Sequence, residues 1–94
     1  MVEIRIPRPL YERLLEALLS RRDVESKAFL LAQALEAGGS VFLLAREVIP
    51  VPDEAYEERS AGGVVVRREF VREQLTRCAR AGLSLIEAHT HPWS

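Results

Sequence analysis

The sequence predicts an α+β fold: one mixed, curved β-sheet flanked by two main helices, in the order β-α-β-β-β-α-β. Three observations carry that expectation. Two segments, beginning near Pro9 and near Arg67, repeat apolar residues at helical spacing. Around them lie short apolar or alternating runs bounded by glycine and proline, the mark of strands. The 94 residues suffice for one domain, and no repeat, low-complexity tract or linker divides them.

Each element follows from its residues. Glu3-Ile4-Arg5-Ile6 alternates polar and apolar side chains, predicting a strand that Pro7 and Pro9 end. Pro9 suits the first turn of a helix, where its missing N–H costs little, and a helix is predicted over residues 9–20. Leu10, Leu14, Leu15, Leu18 and Leu19 form its apolar stripe. Residues 27–35 are a continuous apolar run, compatible by pattern with a helix or with a strand buried on both faces. The Gly38-Gly39 pair and the run Val41-Phe42-Leu43-Leu44 favour a hairpin, so both runs are read as strands. Residues 48–52 continue as an extended edge, because Pro50 and Pro52 cannot donate to a ladder. Residues 53–62 are polar and acidic and predict an exposed loop. A strand follows over residues 63–66. Residues 67–81 predict a second helix with Phe70, Val71, Leu75, Cys78 and Ala79 on its apolar face, ended by Gly82 in a left-handed cap. Residues 83–89 form the last predicted strand.

Composition narrows the function classes. With 48% hydrophobic and 29% charged residues the chain reads as soluble and globular. No run is long and apolar enough to span a membrane, and the alternating N-terminus is unlike a secretory signal, so a cytoplasmic location is expected. The net charge of −1 offers no general attraction to nucleic acid or an anionic membrane, and neither is expected as a partner. One cysteine, Cys78, excludes an internal disulfide and a thiolate-rich zinc site. On the apolar side of a helix it reads as a buried thiol.

The informative motif is His89-Thr90-His91-Pro92, which contains both histidines of the chain. Side chains two apart on a strand share a face, with Cβ atoms roughly 6–7 Å apart. Two such imidazoles can converge on one ion at the usual Zn–N distance of about 2.0–2.1 Å. His89 and His91 are therefore the candidate metal ligands, although His-x-His also arises by chance. Glu87 shares their face and is expected to support a ligand or to pair with an arginine. A metallo-β-lactamase pattern would need Asp and His where this chain has Pro92 and Trp93. A histidine-triad hydrolase would need a third histidine in place of Trp93.

Taken together, Glu25-Ser-Lys-Ala-Phe-Leu-Leu and His89-Thr-His-Pro92 resemble the two ends of the JAMM/MPN metallopeptidase signature, in which a glutamate before an apolar strand is followed much later by H-[ST]-H-P and then S-x-x-D. The resemblance spans nearly the whole chain. It implies a cytidine deaminase-like fold, zinc as cofactor, His89 and His91 as its ligands, and Glu25 as the group that holds and deprotonates the attacking water. The chain ends three residues after His91, before the family's serine and aspartate, and Ser94 does not match that serine. Residues 1–94 are accordingly expected to be one JAMM/MPN-like domain, incomplete at its C-terminus, with a weak or inactive zinc site.

By this resemblance the expected function is zinc-dependent hydrolysis of amide or isopeptide bonds at the C-terminal tail of ubiquitin-like or sulfur-carrier proteins. Exposed backbone near Ala61-Gly62-Gly63 could receive such a tail as an added strand. A non-catalytic MPN scaffold that binds partner proteins is the alternative, against which the retention of Glu25, His89 and His91 argues. A homo-oligomer is compatible with either.

Overall fold

The computed structural model describes residues 2–90. Strand β1 (Val2–Arg5) leads into helix α1 (Arg8–Leu19), strands β2 (Lys27–Ala37) and β3 (Ser40–Pro50), strands β4 (Tyr56–Arg59) and β5 (Val64–Val66), helix α2 (Arg68–Ala81) and strand β6 (Ser84–His89). Four strands form a curled mixed sheet in the order β1-β3-β2-β6, and β4 and β5 form a separate two-stranded ribbon. β1 is parallel to β3, whereas β2 runs antiparallel to both β3 and β6. The α+β architecture with a curled mixed sheet and two helices is the predicted one, but β4 is added and β5 (Val64–Val66) pairs with it outside the four-stranded sheet, where a single sheet was expected.

Burial explains why residues 27–35 extend rather than coil. Ala28, Phe29, Leu30, Leu31 and Ala32 are each at most 3% exposed, with both faces of β2 covered at that end. A central strand of this kind tolerates no polar alternation. The turn at Gly38 and Gly39 takes φ of +58° and +80°, a conformation glycine adopts without steric cost. β3 is longer than predicted. Leu31 pairs with Glu47 but Ala32 pairs with Ala45, so Arg46 is an extra residue, and this bulge joins the two short predicted runs into one strand.

Two cores lie on opposite faces of the sheet. Under α1, Leu14 and Leu18 meet Ala28, Leu30, Ala45 and Val48. On the other face Phe29, Val51, Ala55 and Tyr56 are joined by Phe70 and Val71 of α2 and by Leu85. The Phe29 and Phe70 rings lie 6.1 Å apart in a tilted arrangement. Gly82 ends α2 with φ +68° and its N–H on the Cys78 carbonyl, the predicted left-handed cap.

Three predicted details are corrected. On α1 the leucine stripe is wider than the face the sheet covers, so Leu15 and Leu19 remain exposed. On α2 the buried positions are Gln74 and Cys78, while Leu75 is 52% exposed and Ala79 is exposed. Phe70, Val71 and Cys78 face the core as predicted, and Gln74 takes the buried place next to them, so the covered face is narrower than the apolar count and centred to one side of Leu75 and Ala79. The third correction concerns residues 53–62, whose acidic side chains are exposed as expected but which are not a loop throughout. A 3-10 turn (Asp53–Ala55) leads directly into β4, and Ala55 and Tyr56 are buried against Phe29. Among the described residues no helix is long and apolar enough to cross a membrane.

Candidate functional site

The start of β2 and the end of β6 meet at one rim of the sheet. Their antiparallel register sets Lys27 opposite His89, Ala28 opposite Ala88 and Phe29 opposite Glu87. Beyond Lys27 the contact continues: the Thr90 N–H donates to the Ser26 carbonyl at 3.0 Å. The Ser26 N–H in turn donates to Thr90 Oγ1 at 3.2 Å. Residues 64 positions apart are thus joined beside both Glu25 and His89. The predicted glutamate and the first predicted histidine belong to one short stretch of the rim.

Glu25 is only 7% exposed, so the expectation of a loop-borne carboxylate held near the histidine strand places it in a shielded setting. Its main chain is fixed on both sides. The Glu25 N–H donates to the Ser60 carbonyl at 2.8 Å, and the Glu25 carbonyl accepts from Arg59 Nε at 3.2 Å. Arg59 also donates through Nη2 to Ser26 Oγ at 2.6 Å and through Nη1 to Asp53 Oδ1 at 3.0 Å. Its guanidinium lies 4.5 Å from the centre of the Tyr56 ring, a cation–π contact. Tyr56 completes the brace. Its hydroxyl accepts from the Lys27 N–H at 3.0 Å and donates to the Lys27 carbonyl at 3.1 Å.

On β6, Leu85, Glu87 and His89 alternate onto the face that carries Phe29 and α2, while Ile86 and Ala88 pack toward α1. His89 ends the strand with an exposed side chain. The Glu87 carboxylate lies 2.5 Å from Lys27 Nζ, so its partner is the chain's one lysine rather than the predicted arginine. The reason is the register, which puts Lys27 diagonally across from Glu87 on the same face. Nearer the chain's surface, a hydrogen bond from Arg21 holds the Asp23 carboxyl below its ordinary value. Burial pushes the Cys78 thiol up, consistent with a structural rather than a reactive role.

His91, Pro92 and Ser94 lie outside the described residues. Among the described residues no three His, Cys, Asp or Glu side chains gather as a metal-binding group. In kind, the donors at the rim suit zinc, which accepts imidazole nitrogen and carboxylate oxygen. Ala61, Gly62 and Gly63 form the turn between β4 and β5, closed by the Ser60 N–H on the Gly63 carbonyl at 2.8 Å.

Arg59, Tyr56, Ser26 and Thr90 were not predicted as parts of this rim. Only one sequence signal pointed to them: an aromatic residue, Tyr56, inside an otherwise acidic stretch. Compared with known proteins, the chain matches no family model, no curated protein and no solved structure.

Proposed function

We propose that the chain carries residues of a zinc-dependent metallopeptidase site of the JAMM/MPN type, acting on amide or isopeptide bonds at the C-terminal tails of ubiquitin-like or sulfur-carrier proteins. The observation that supports this most directly is the Ser26–Thr90 pair of hydrogen bonds, which brings a buried glutamate and a histidine-bearing strand end to the same rim.

In this reading His89 and His91 hold the metal. A bound zinc ion supplies Lewis acidity and lowers the pKa of water to near neutrality, about 7. Glu25 accepts the proton of the attacking water and delivers it to the leaving amine. Its shielded position at 7% exposure keeps competing solvent from that carboxylate. The Ser60 carbonyl holds the Glu25 N–H, and Arg59 and Tyr56 hold the main chain from the Glu25 carbonyl to Lys27, so the carboxylate is carried on a rigid support rather than on a free loop.

Zinc titration tests the assignment. The 94-residue chain is expected to bind one zinc ion weakly and to lose it in His89→Ala and in His91→Ala. Glu25→Gln is expected to keep the metal and to abolish any cleavage of a substrate joined through a glycine-ended tail. Zinc bound equally with and without the imidazoles, or not at all, overturns the proposal.

A further inference from the structure

β1 is the outer strand of the sheet, and among the described residues it pairs only with β3. Open edges usually carry devices that discourage pairing, such as lysine, proline or a bulge. No lysine, proline or bulge occurs in Val2–Arg5; its shortness and its two charges, Glu3 and Arg5, are the only such devices, and the two charges are of opposite sign. Val2 and Ile4 are instead 65% and 50% exposed. They sit in register with Val41 and Leu43, on the side of the sheet that Ala45 offers to α1. Just after β1, exposed Tyr11 and Leu15 of α1 line a shallow cleft with Ile6, Arg8 and Glu12.

We propose that this edge is covered by β1 of a second copy of the chain, the two strands antiparallel about a two-fold axis through Ile4. Two four-stranded sheets would then join into one continuous sheet. The choice of axis follows from the sequence, which is its own complement about that residue. Within β1, Ile4 faces Ile4 and Glu3 faces Arg5 twice, once in each direction, while Val2 faces Ile6, which directly follows the strand and is partly buried against the α1 core. Apolar pairs fall on the α1 side and opposite charges on the other, each arrangement favourable across an antiparallel pair. Neighbouring axes lose this match. An axis through Glu3 sets like carboxylates together, one through Arg5 sets like guanidinium groups together, and one between Glu3 and Ile4 sets charged residues against apolar ones.

Within one chain Arg5 Nε already meets Glu3 Oε2 at 2.7 Å, both side chains being largely exposed. Pairing exchanges that local contact for two between copies. A two-fold axis normal to the sheet at the seam also leaves both α1 helices, with their exposed Tyr11 and Leu15, on the same side of the joined sheet. That extra surface is required, because four residues of strand alone fall short of the roughly 800 Å² per partner that a stable interface buries.

Sedimentation velocity on the 94-residue chain tests the inference. The expected result is a reversible dimer that Ile4→Lys converts to monomer while far-UV circular dichroism and the thermal midpoint of the monomer stay intact. Glu3→Arg and Arg5→Glu should each weaken the dimer by about tenfold, since each creates like-charge pairs. An equimolar mixture of those two variants should restore dimers, because both cross-pairs are then of opposite charge. A chain that stays monomeric, a dimer untouched by Ile4→Lys, or a mixture no tighter than either variant alone would overturn it. The charge-exchange arm keeps the inference testable if Ile4→Lys does not fold.

Discussion

The two ends of β2 are held by different means. At its start, the main chain of residues 25–27 is bonded by groups 29 to 64 positions away, from Tyr56, Arg59 and Thr90. At its finish, Ala34–Ala37 are exposed and pair with their nearest neighbours across the Gly38-Gly39 turn, Ala37 with Ser40 and Glu36 with Val41. One strand thus serves as a fixed support at the rim and as a locally held ribbon at the hairpin. Local pairs close short loops and form early, whereas the rim needs the whole chain to be in place. Opening of the hairpin should therefore leave the rim bonded, while loss of the rim contacts should release Glu25.

The largest break in this comparison comes from Phe29, which is 2% exposed and lies under the rim against Phe70. Phe29→Ala is expected to cost about 3–5 kcal/mol. A chain of this size is typically stable by only about 5–14 kcal/mol, so the variant should be marginal at ordinary temperature. Urea unfolding followed by circular dichroism measures the loss. A cost below about 1 kcal/mol would mean that the core on the α2 face is not packed as described.

A finer test separates the brace from the core. Tyr56→Phe keeps the ring in place but removes the hydroxyl that satisfies both the N–H and the carbonyl of Lys27. The expected cost is about 1–3 kcal/mol, the range for leaving buried polar groups unpaired. Native-state hydrogen exchange adds the spatial answer. The Lys27 amide should lose protection while amides near Ala37 and Ser40 keep theirs. Equal loss at both ends would show that the strand opens as one unit.

The same contrast explains what could be foreseen in the sequence. The hairpin was legible because its signals are local: two glycines between apolar runs, and a left-handed turn that glycine alone adopts cheaply. Gly82 marked the end of α2 for the same reason. The rim was legible only through its chemistry-bearing residues, Glu25 and His89. Its supports were hidden, because the Arg59 and Tyr56 contacts depend on where β4 docks, and the acidic residues around Tyr56 mask its burial. The buried place of Gln74 on α2 was hidden too. Gln74 and Leu75 differ by about 100° around the helix, and the apolar residue is not the one the sheet covers, since Gln74 is 3% exposed and accepts a hydrogen bond from Arg77 Nη1 at 3.2 Å.

The smallest effect is expected at the hairpin. Leu35 is apolar and lies on the same strand as Phe29, yet it is 42% exposed and pairs with Phe42 across a ladder already held by its turn. Because about two-fifths of its surface remains in water when the chain folds, truncation removes less burial than at Phe29, and Leu35→Ala should cost no more than about 1 kcal/mol. The urea dependence should keep its slope, since the surface exposed on unfolding is nearly unchanged. A loss above about 1.5 kcal/mol would show that the hairpin end is buried against something, and would erase the difference between the two ends of β2. Measured beside Phe29→Ala, it compares two large apolar residues on one strand, with only their surroundings to set the magnitudes apart.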